Sequence, residues 1–243
     1  MSDFDGTLSD IAPLPEDAKP RPEAIRLLGI LARKLLKVCI LSSRSGEDLR
    51  RLIRAPDVEL LGDYGMTAPT RSDLEAIRRF NARAASLLTG QPRVRLEEKP
   101  ASTSVHFRAD PDARAELGEA LTALAEELGL RTAWGRLVLE VKPAEADKAR
   151  ALSRLLREDR PGAVAYIGDD ENDRPVFSLL ARQPLPHFAV GAASTEAAPD
   201  LFADCDLVVD GPSGVEEFLS LLADWAERAR PRPDPSAADR SSR

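Results

Sequence analysis

The chain has 243 residues, 43% of them hydrophobic and 31% charged, which suffices for one large domain or for a core with a smaller insertion. A net charge of −7 argues against nucleic acid as the main partner, since phosphate backbones select basic faces, yet it leaves room for a small phosphorylated ligand met by local positive charge. Two cysteines make no disulfide framework, and no apolar run approaches the ~18 residues of a membrane span or the apolar stretch of a signal peptide. We therefore expect a cytoplasmic monomer with no membrane partner.

Asp3-Phe4-Asp5-Gly6-Thr7-Leu8 opens the chain. Two carboxylates two residues apart, followed by glycine and a hydroxyl, form an oxygen-rich turn suited to a hard cation such as Mg²⁺. Such a carboxylate can also attack phosphorus. The same letters equally describe a plain surface turn. After a Pro-rich connection over residues 13–22, Pro22 is placed to open a helix over 23–34, with Ile25, Leu28, Leu31 and Leu35 at helical spacing. Val38-Cys39-Ile40-Leu41 has the continuous apolar character of a strand covered on both faces. It runs into Ser42-Ser43-Arg44-Ser45, ahead of a helix over 47–54. Val58-Glu59-Leu60-Leu61 is the next strand, closed by Gly62-Asp63-Tyr64-Gly65. Alternating strand and helix argue for a parallel α/β sheet.

From residue 66 the pattern changes. A helix over 71–88 leads to strands over 94–99 and 102–107, and a second helix over 111–128 leads to strands over 131–134 and 137–141, with Gly135-Arg136 between them. Helix, hairpin, helix, hairpin describes an inserted α+β module with an antiparallel sheet. The alternation resumes with a helix over 147–157, a strand over 163–167 ending in Gly168-Asp169-Asp170-Glu171-Asn172-Asp173, and a helix over 173–180. Short strands at 187–190 and 207–209 precede a last helix over 213–228. The expected domains are a core of residues 1–65 and 145–228, a cap of residues 66–144, and a disordered tail over 229–243.

In order and type, the segments around Asp3, Ser42, Lys148 and Asp169 resemble the four motifs of the haloacid dehalogenase (HAD) superfamily of phosphotransferases. Leu96-Glu97-Glu98-Lys99, His106-Phe107-Arg108 and Leu139-Glu140-Val141-Lys142-Pro143 are similar to cap segments of its trehalose-6-phosphate phosphatases. The resemblance covers residues 3–222 and implies a Rossmann-like core with a substrate-selecting cap. It implies that Asp3 is the nucleophile, forming an aspartyl-phosphate, and Asp5 the general acid and then base. Mg²⁺ would be held by Asp3, Asp5 through its backbone carbonyl, and Asp169; phosphate by Ser42, Lys148 and Arg44; and the sugar by Glu97, Lys99 and Glu140. Asp170 and Asp173 would orient water or Lys148. Period-2 geometry is consistent with part of this, because it puts Glu97 and Lys99 on one strand face.

The implied activity is Mg²⁺-dependent hydrolysis of trehalose 6-phosphate to trehalose and phosphate. Duller readings exist for each residue: helix capping for Asp169 and Asp170, first-turn complementation of the helix dipole for Asp173, helix entry for Ser42, a surface cation opening its helix for Arg44, a solvated lysine for Lys148, and a cross-strand ion pair for Glu97 and Lys99. His106, Arg108, Gly6 and Thr7 do not discriminate. A phosphatase for sucrose phosphate or mannosyl-phosphoglycerate, or a catalytically silent regulatory domain, remain alternatives. Two departures bear on the substrate: Asp63-Tyr64 stands where the family commonly has Asn-His, and Asn172 where it has Thr. A further departure is that a central strand ending at Asp3 calls for four or five apolar residues before it, where this chain has Met1-Ser2. Either the start was assigned too late or the central strand is frayed, and the expectation is that an N-terminal extension would raise thermal stability.

Overall fold

The computed structural model describes residues 1–228 except 13, 136, 195, 196 and 199. The expected tail therefore lies outside the described residues, as does Arg136. Five strands belong to one parallel sheet: β1 (Cys39–Leu41) pairs with β2 (Glu59–Leu61), and β7 (Val164–Gly168) pairs with β8 (His187–Ala193), which pairs with β9 (Leu207–Asp210). Residues 1–3 join the two halves. Ser2 bridges Ile40 on one side and Ile167 on the other, both in parallel sense, so the order is β2, β1, residues 1–3, β7, β8, β9.

Strand residues alternate between two apolar layers. Ile40, Ile167 and Val190 meet α1 (Pro22–Ala32), α2 (Gly46–Leu52) and α7 (Gly211–Arg228). Leu41, Tyr166 and Ala189 meet α5 (Lys148–Asp159) and α6 (Arg174–Leu180) on the other face. A sheet covered on both sides explains why these strands read as unbroken apolar runs.

Residues 1–3 are held firmly between their neighbours. Ser2 N–H donates to Cys39 O at 3.0 Å, Asp3 N–H donates to Ile167 O at 2.8 Å, and Leu41 N–H donates to Ser2 O at 2.8 Å. The Met1 ammonium donates to Ala165 O at 2.7 Å, standing where a strand amide would stand. Burial pulls its pKa below the usual amino-terminal value. Beneath it lies a cavity of about 740 Å³ walled by Leu31, Leu152, Leu155 and Leu222. An apolar extended segment joined ahead of Met1 is expected to fill part of this space and raise the melting temperature by about 5 °C, the net of a few buried side chains against their ordering. Equal melting temperatures for the two lengths would refute this.

Residues 71–142 build a second unit. α3 (Arg71–Leu87) starts at a capping box in which Thr70 and Asp73 satisfy each other's backbone amides. It is followed by the hairpin β3 (Arg95–Glu98) and β4 (Thr103–His106), then α4 (Ala113–Glu127), then β5 (Arg131–Gly135) and β6 (Val138–Lys142). The four strands form one antiparallel sheet in the order β3, β4, β6, β5. Register decides its two faces. Glu97, Ser104, Glu140 and Ala133 are paired in one row across the sheet. Two residues along lie His106 and Val138 on one side of that row and Lys142 on the other, all on the same face. The opposite face carries Val105, Leu139 and Val141, packed with Ile77 and Phe80 of α3 and Leu121 of α4. One face is thus apolar and the other charged, as expected of an antiparallel sheet with one face free for other work.

Candidate active site

Asp3 ends the central strand at the point where neighbouring strands lead to helices in opposite directions, which is where open α/β sheets bind ligands. Its Oδ1 lies 2.8 Å from Lys148 Nζ, and the same ammonium lies 2.7 Å from Asp173 Oδ1. Lys148 is the first residue of α5, whose N-cap Asp147 accepts from Arg150 N–H at 3.0 Å. The cap fixes the helix start and so aims Lys148 inward. Asp3, Lys148, Asp169 and Asp173 are all buried. Burial pushes the Asp3 carboxyl well up from its ordinary range, with Lys148 acting against it. Burial also disfavours the Lys148 ammonium, but Asp173 and Asp3 outweigh that cost and hold its pKa above the usual lysine value.

Asp173 is the hub of this arrangement. Its Oδ1 accepts from Lys148 and, at 2.6 Å, from Tyr166 Oη; its Oδ2 accepts from the amides of Asp169 and Asp170 at 2.9 and 3.2 Å. Asp3, Asp169 and Asp173 each place one carboxylate oxygen within 4.8 Å of the others, an all-oxygen donor set suited to a hard divalent cation. Each Asp173 oxygen already accepts from two donors, which ties this carboxylate to Lys148 and the surrounding backbone. Gly6 makes room for this cluster. It sits at φ +77°, and a Cβ there would fall 2.0 Å from Asp169 Oδ2. Thr7 Oγ1 donates to Asp169 Oδ1 at 3.2 Å.

Asp5 is held differently. Arg44 Nε and Nη2 donate to its two oxygens, each at 2.8 Å, so the guanidinium assigned to phosphate from the sequence grips the carboxylate assigned to acid–base work. Ser42 follows β1, buried, with its Oγ accepting from Arg44 N–H at 3.2 Å. Asp170 is pushed up to about 6 by burial and by Asp173 beside it.

The charged face of the four-stranded sheet closes over these groups. One cleft of about 180 Å³ is lined by Asp5, Arg44 and Asp169 from the parallel sheet and by Glu97, Lys99 and Glu140 from the antiparallel one. His106 and Arg108 line it as well. Glu97 Oε2 is 2.7 Å from His106 Nε2, and Lys99 Nζ is 3.8 Å from Glu140 Oε1. Burial pushes Glu97 up, but the His106 hydrogen bond and nearby Lys99 overcome it, leaving the carboxyl below its ordinary range. Asp63 does not line this cleft; burial raises its carboxyl, and Gly46 N–H is its backbone partner.

Residues 1–200 match the family model described as trehalose-phosphatase. The chain belongs to the trehalose-phosphatase family. Among curated relatives, the trehalose-phosphate phosphatase of Mycobacterium avium is 32% identical over 248 residues, a match covering 93% of this chain and 62% of that protein. The chain thus spans under two thirds of the relative's length. Among solved structures, the C-terminal domain of Candida albicans trehalose-6-phosphate phosphatase aligns with a TM-score of 0.77 at 21% identity, covering 92% of this chain and 90% of that one. A HAD-superfamily phosphatase from Bacteroides thetaiotaomicron aligns with a TM-score of 0.59 at 17% identity, covering 93% and 94%. At these identities the likeness is one of fold, and it agrees with a Rossmann-like parallel-sheet core. No helix among the described residues is long and apolar enough to cross a membrane.

Three residues that converge on Glu140 stand outside the sites expected from sequence: Lys142, and Tyr64 and Asn172, which appear there only as departures from the family pattern. Lys142 was accessible by the rule that paired Glu97 with Lys99, since it lies two residues beyond Glu140 on the same strand. Nothing local in the loop carrying Tyr64 announced a contact 76 residues away.

Proposed function

We propose that this trehalose-phosphatase family member is a Mg²⁺-dependent phosphomonoester hydrolase that converts trehalose 6-phosphate to trehalose and phosphate, working in the cytoplasm. What supports the reading most directly is the buried Asp3–Lys148–Asp173 array at the end of the central strand, within reach of Asp169 and roofed by Glu97, Lys99 and Glu140. Lys148 holds one Asp3 oxygen and leaves the other to attack phosphorus. The phosphorus–oxygen bond to the sugar breaks as the bond to Asp3 forms, giving an aspartyl-phosphate. Asp5 gives a proton to the departing sugar oxygen, then takes one from the water that cleaves the acyl phosphate, which requires Arg44 to loosen its two-point grip. Ser42 and Lys148 hold phosphate oxygens. Asp3, the Asp5 carbonyl and Asp169 would hold Mg²⁺, which would supply the positive charge needed for anionic carboxylate and anionic phosphate to approach.

Residues 66–144 act as the cap. The cleft under Glu97, Lys99 and Glu140 holds about 180 Å³, and a cavity of about 780 Å³ reaches Lys148, Asp169 and Asp170 beside it, with opening of the cap as the route by which a disaccharide phosphate enters. Both cysteines are free thiols, in keeping with a reducing compartment.

Phosphate release from trehalose 6-phosphate, glucose 6-phosphate, sucrose 6-phosphate and an aryl phosphate, with Mg²⁺ and with chelator, tests the reading. The expected result is Mg²⁺-dependent release, with kcat/KM for trehalose 6-phosphate on the order of 10²-fold above the other sugars. Equal or faster turnover of sucrose 6-phosphate would reassign the substrate. No release from any of the four would leave a silent domain.

A further inference from the structure

Glu140 reaches across from β6 into a network that the proposed reaction does not use. Its Oε2 accepts from Tyr64 Oη and, at 3.1 Å, from Asn172 Nδ2. Asn172 Oδ1 in turn accepts from Lys142 Nζ at 2.7 Å. A lysine only donates, so the Asn172 amide has one possible orientation, oxygen to Lys142 and nitrogen to Glu140. The Lys142 ammonium also sits 3.8 Å from the centroid of the Tyr64 ring, a cation over an aromatic face. Tyr64, Glu140, Lys142 and Asn172 are each at most 9% exposed.

The four residues come from opposite sides of the cleft. Glu140 and Lys142 belong to the antiparallel sheet, while Tyr64 lies in the loop after β2 and Asn172 in the loop after β7. Tyr64 is placed there at some expense, since it and Asp63 both adopt left-handed backbone, at φ 57° and 51°. Such backbone is strained for a residue with a side chain and persists only where the surroundings hold it in place. With Oε2 taken from the core side, Oε1 is the oxygen left beside Lys99 and the cleft.

We propose that Tyr64 and Asn172, tied together through Lys142, are positioning residues that seat Glu140 with Oε1 toward the sugar and latch the antiparallel sheet onto the parallel one. The sugar part of this assignment rests on the function proposed above; the latch does not. The network forms only when the two sheets meet, so the sugar-facing carboxylate acquires its working orientation at closure. Breaking the network loosens closure and blunts discrimination for the sugar, while a reaction on a phosphate lacking that sugar loses less.

The test is Tyr64→Phe, which keeps the ring under Lys142 and removes only the hydroxyl, alone and combined with Asn172→Ala. Cooperative thermal unfolding establishes that each variant is folded, the single variant serving if the double one is not. Small-angle scattering of the substrate-free proteins is expected to give a larger radius of gyration for the variants than for the unsubstituted protein. Kinetics are expected to show KM for trehalose 6-phosphate rising about tenfold, and its kcat/KM relative to an aryl phosphate falling by a similar factor. An unchanged radius of gyration overturns the proposal, and so does an equal loss on both substrates, which marks a merely structural role. Should trehalose 6-phosphate prove not to be a substrate, the scattering result still decides the latch, so the two failures are told apart.

Discussion

Asp3→Asn is expected to lower kcat on trehalose 6-phosphate by at least about 10⁴-fold, or ~5.5 kcal/mol in the barrier, while the protein stays folded. The amide keeps the shape of the carboxylate and an oxygen for the Lys148 contact at 2.8 Å, but it has no anionic oxygen with which to form an acyl phosphate. Because burial already strains the ionised form of Asp3, removing its charge is not expected to weaken the fold. Two measurements check this: steady-state phosphate release, and acid-quenched trapping of labelled phosphoenzyme, which the variant should not form. Activity within tenfold of the unsubstituted protein would remove Asp3 as nucleophile.

Lys148→Met is expected to damage both chemistry and stability. Lys148 is 3% exposed and bridges Asp3 and Asp173, themselves 5% and 0% exposed. Taking the cation away leaves two buried carboxylates facing one another, a change worth roughly 3–5 kcal/mol and therefore a melting temperature lower by on the order of 10 °C. The sign of the pH dependence follows from Asp3. With Lys148 gone, burial and Asp173 both push the Asp3 carboxyl further up, so the folded form keeps a proton that the unfolded chain releases. A group with a raised folded pKa contributes its stability below the unfolded value and loses it as pH rises through the folded one. The deficit of the variant should accordingly be smallest in acid and grow toward neutrality. Urea unfolding at pH 5 and pH 8 reads this directly, and a deficit that is equal at both, or larger in acid, would contradict it.

Much of this was legible because the signals are local. The apolar run Val38-Cys39-Ile40-Leu41, the change of pattern after residue 66 and the placement of Asp169 after a strand each follow from short-range rules, and the elements formed within a few residues of the expected bounds. The ends moved where pairing decided them. The expected hairpin over 94–99 and 102–107 narrows to Arg95–Glu98 and Thr103–His106, where the register with β6 holds.

What stayed hidden depends on contacts between distant segments. Asp173 reads in sequence as a first-turn helix residue, yet its side chain makes no cap bond and instead gathers Lys148, Tyr166 and two amides. Arg44 reads as a phosphate ligand, and only the folded chain shows it locked to a carboxylate 39 residues earlier. Tyr64 and Asn172 read as departures from a pattern, and only the folded chain shows that both address the same oxygen of Glu140.

The Met1 ammonium sits in the middle of the parallel sheet, bonded to Ala165 O and flanked by β1 and β7. A segment fused upstream therefore starts against an apolar wall that includes Leu31 and Leu155. A polyhistidine leader would drag hydrophilic imidazoles past that greasy wall, so an affinity handle for purification belongs at the opposite terminus.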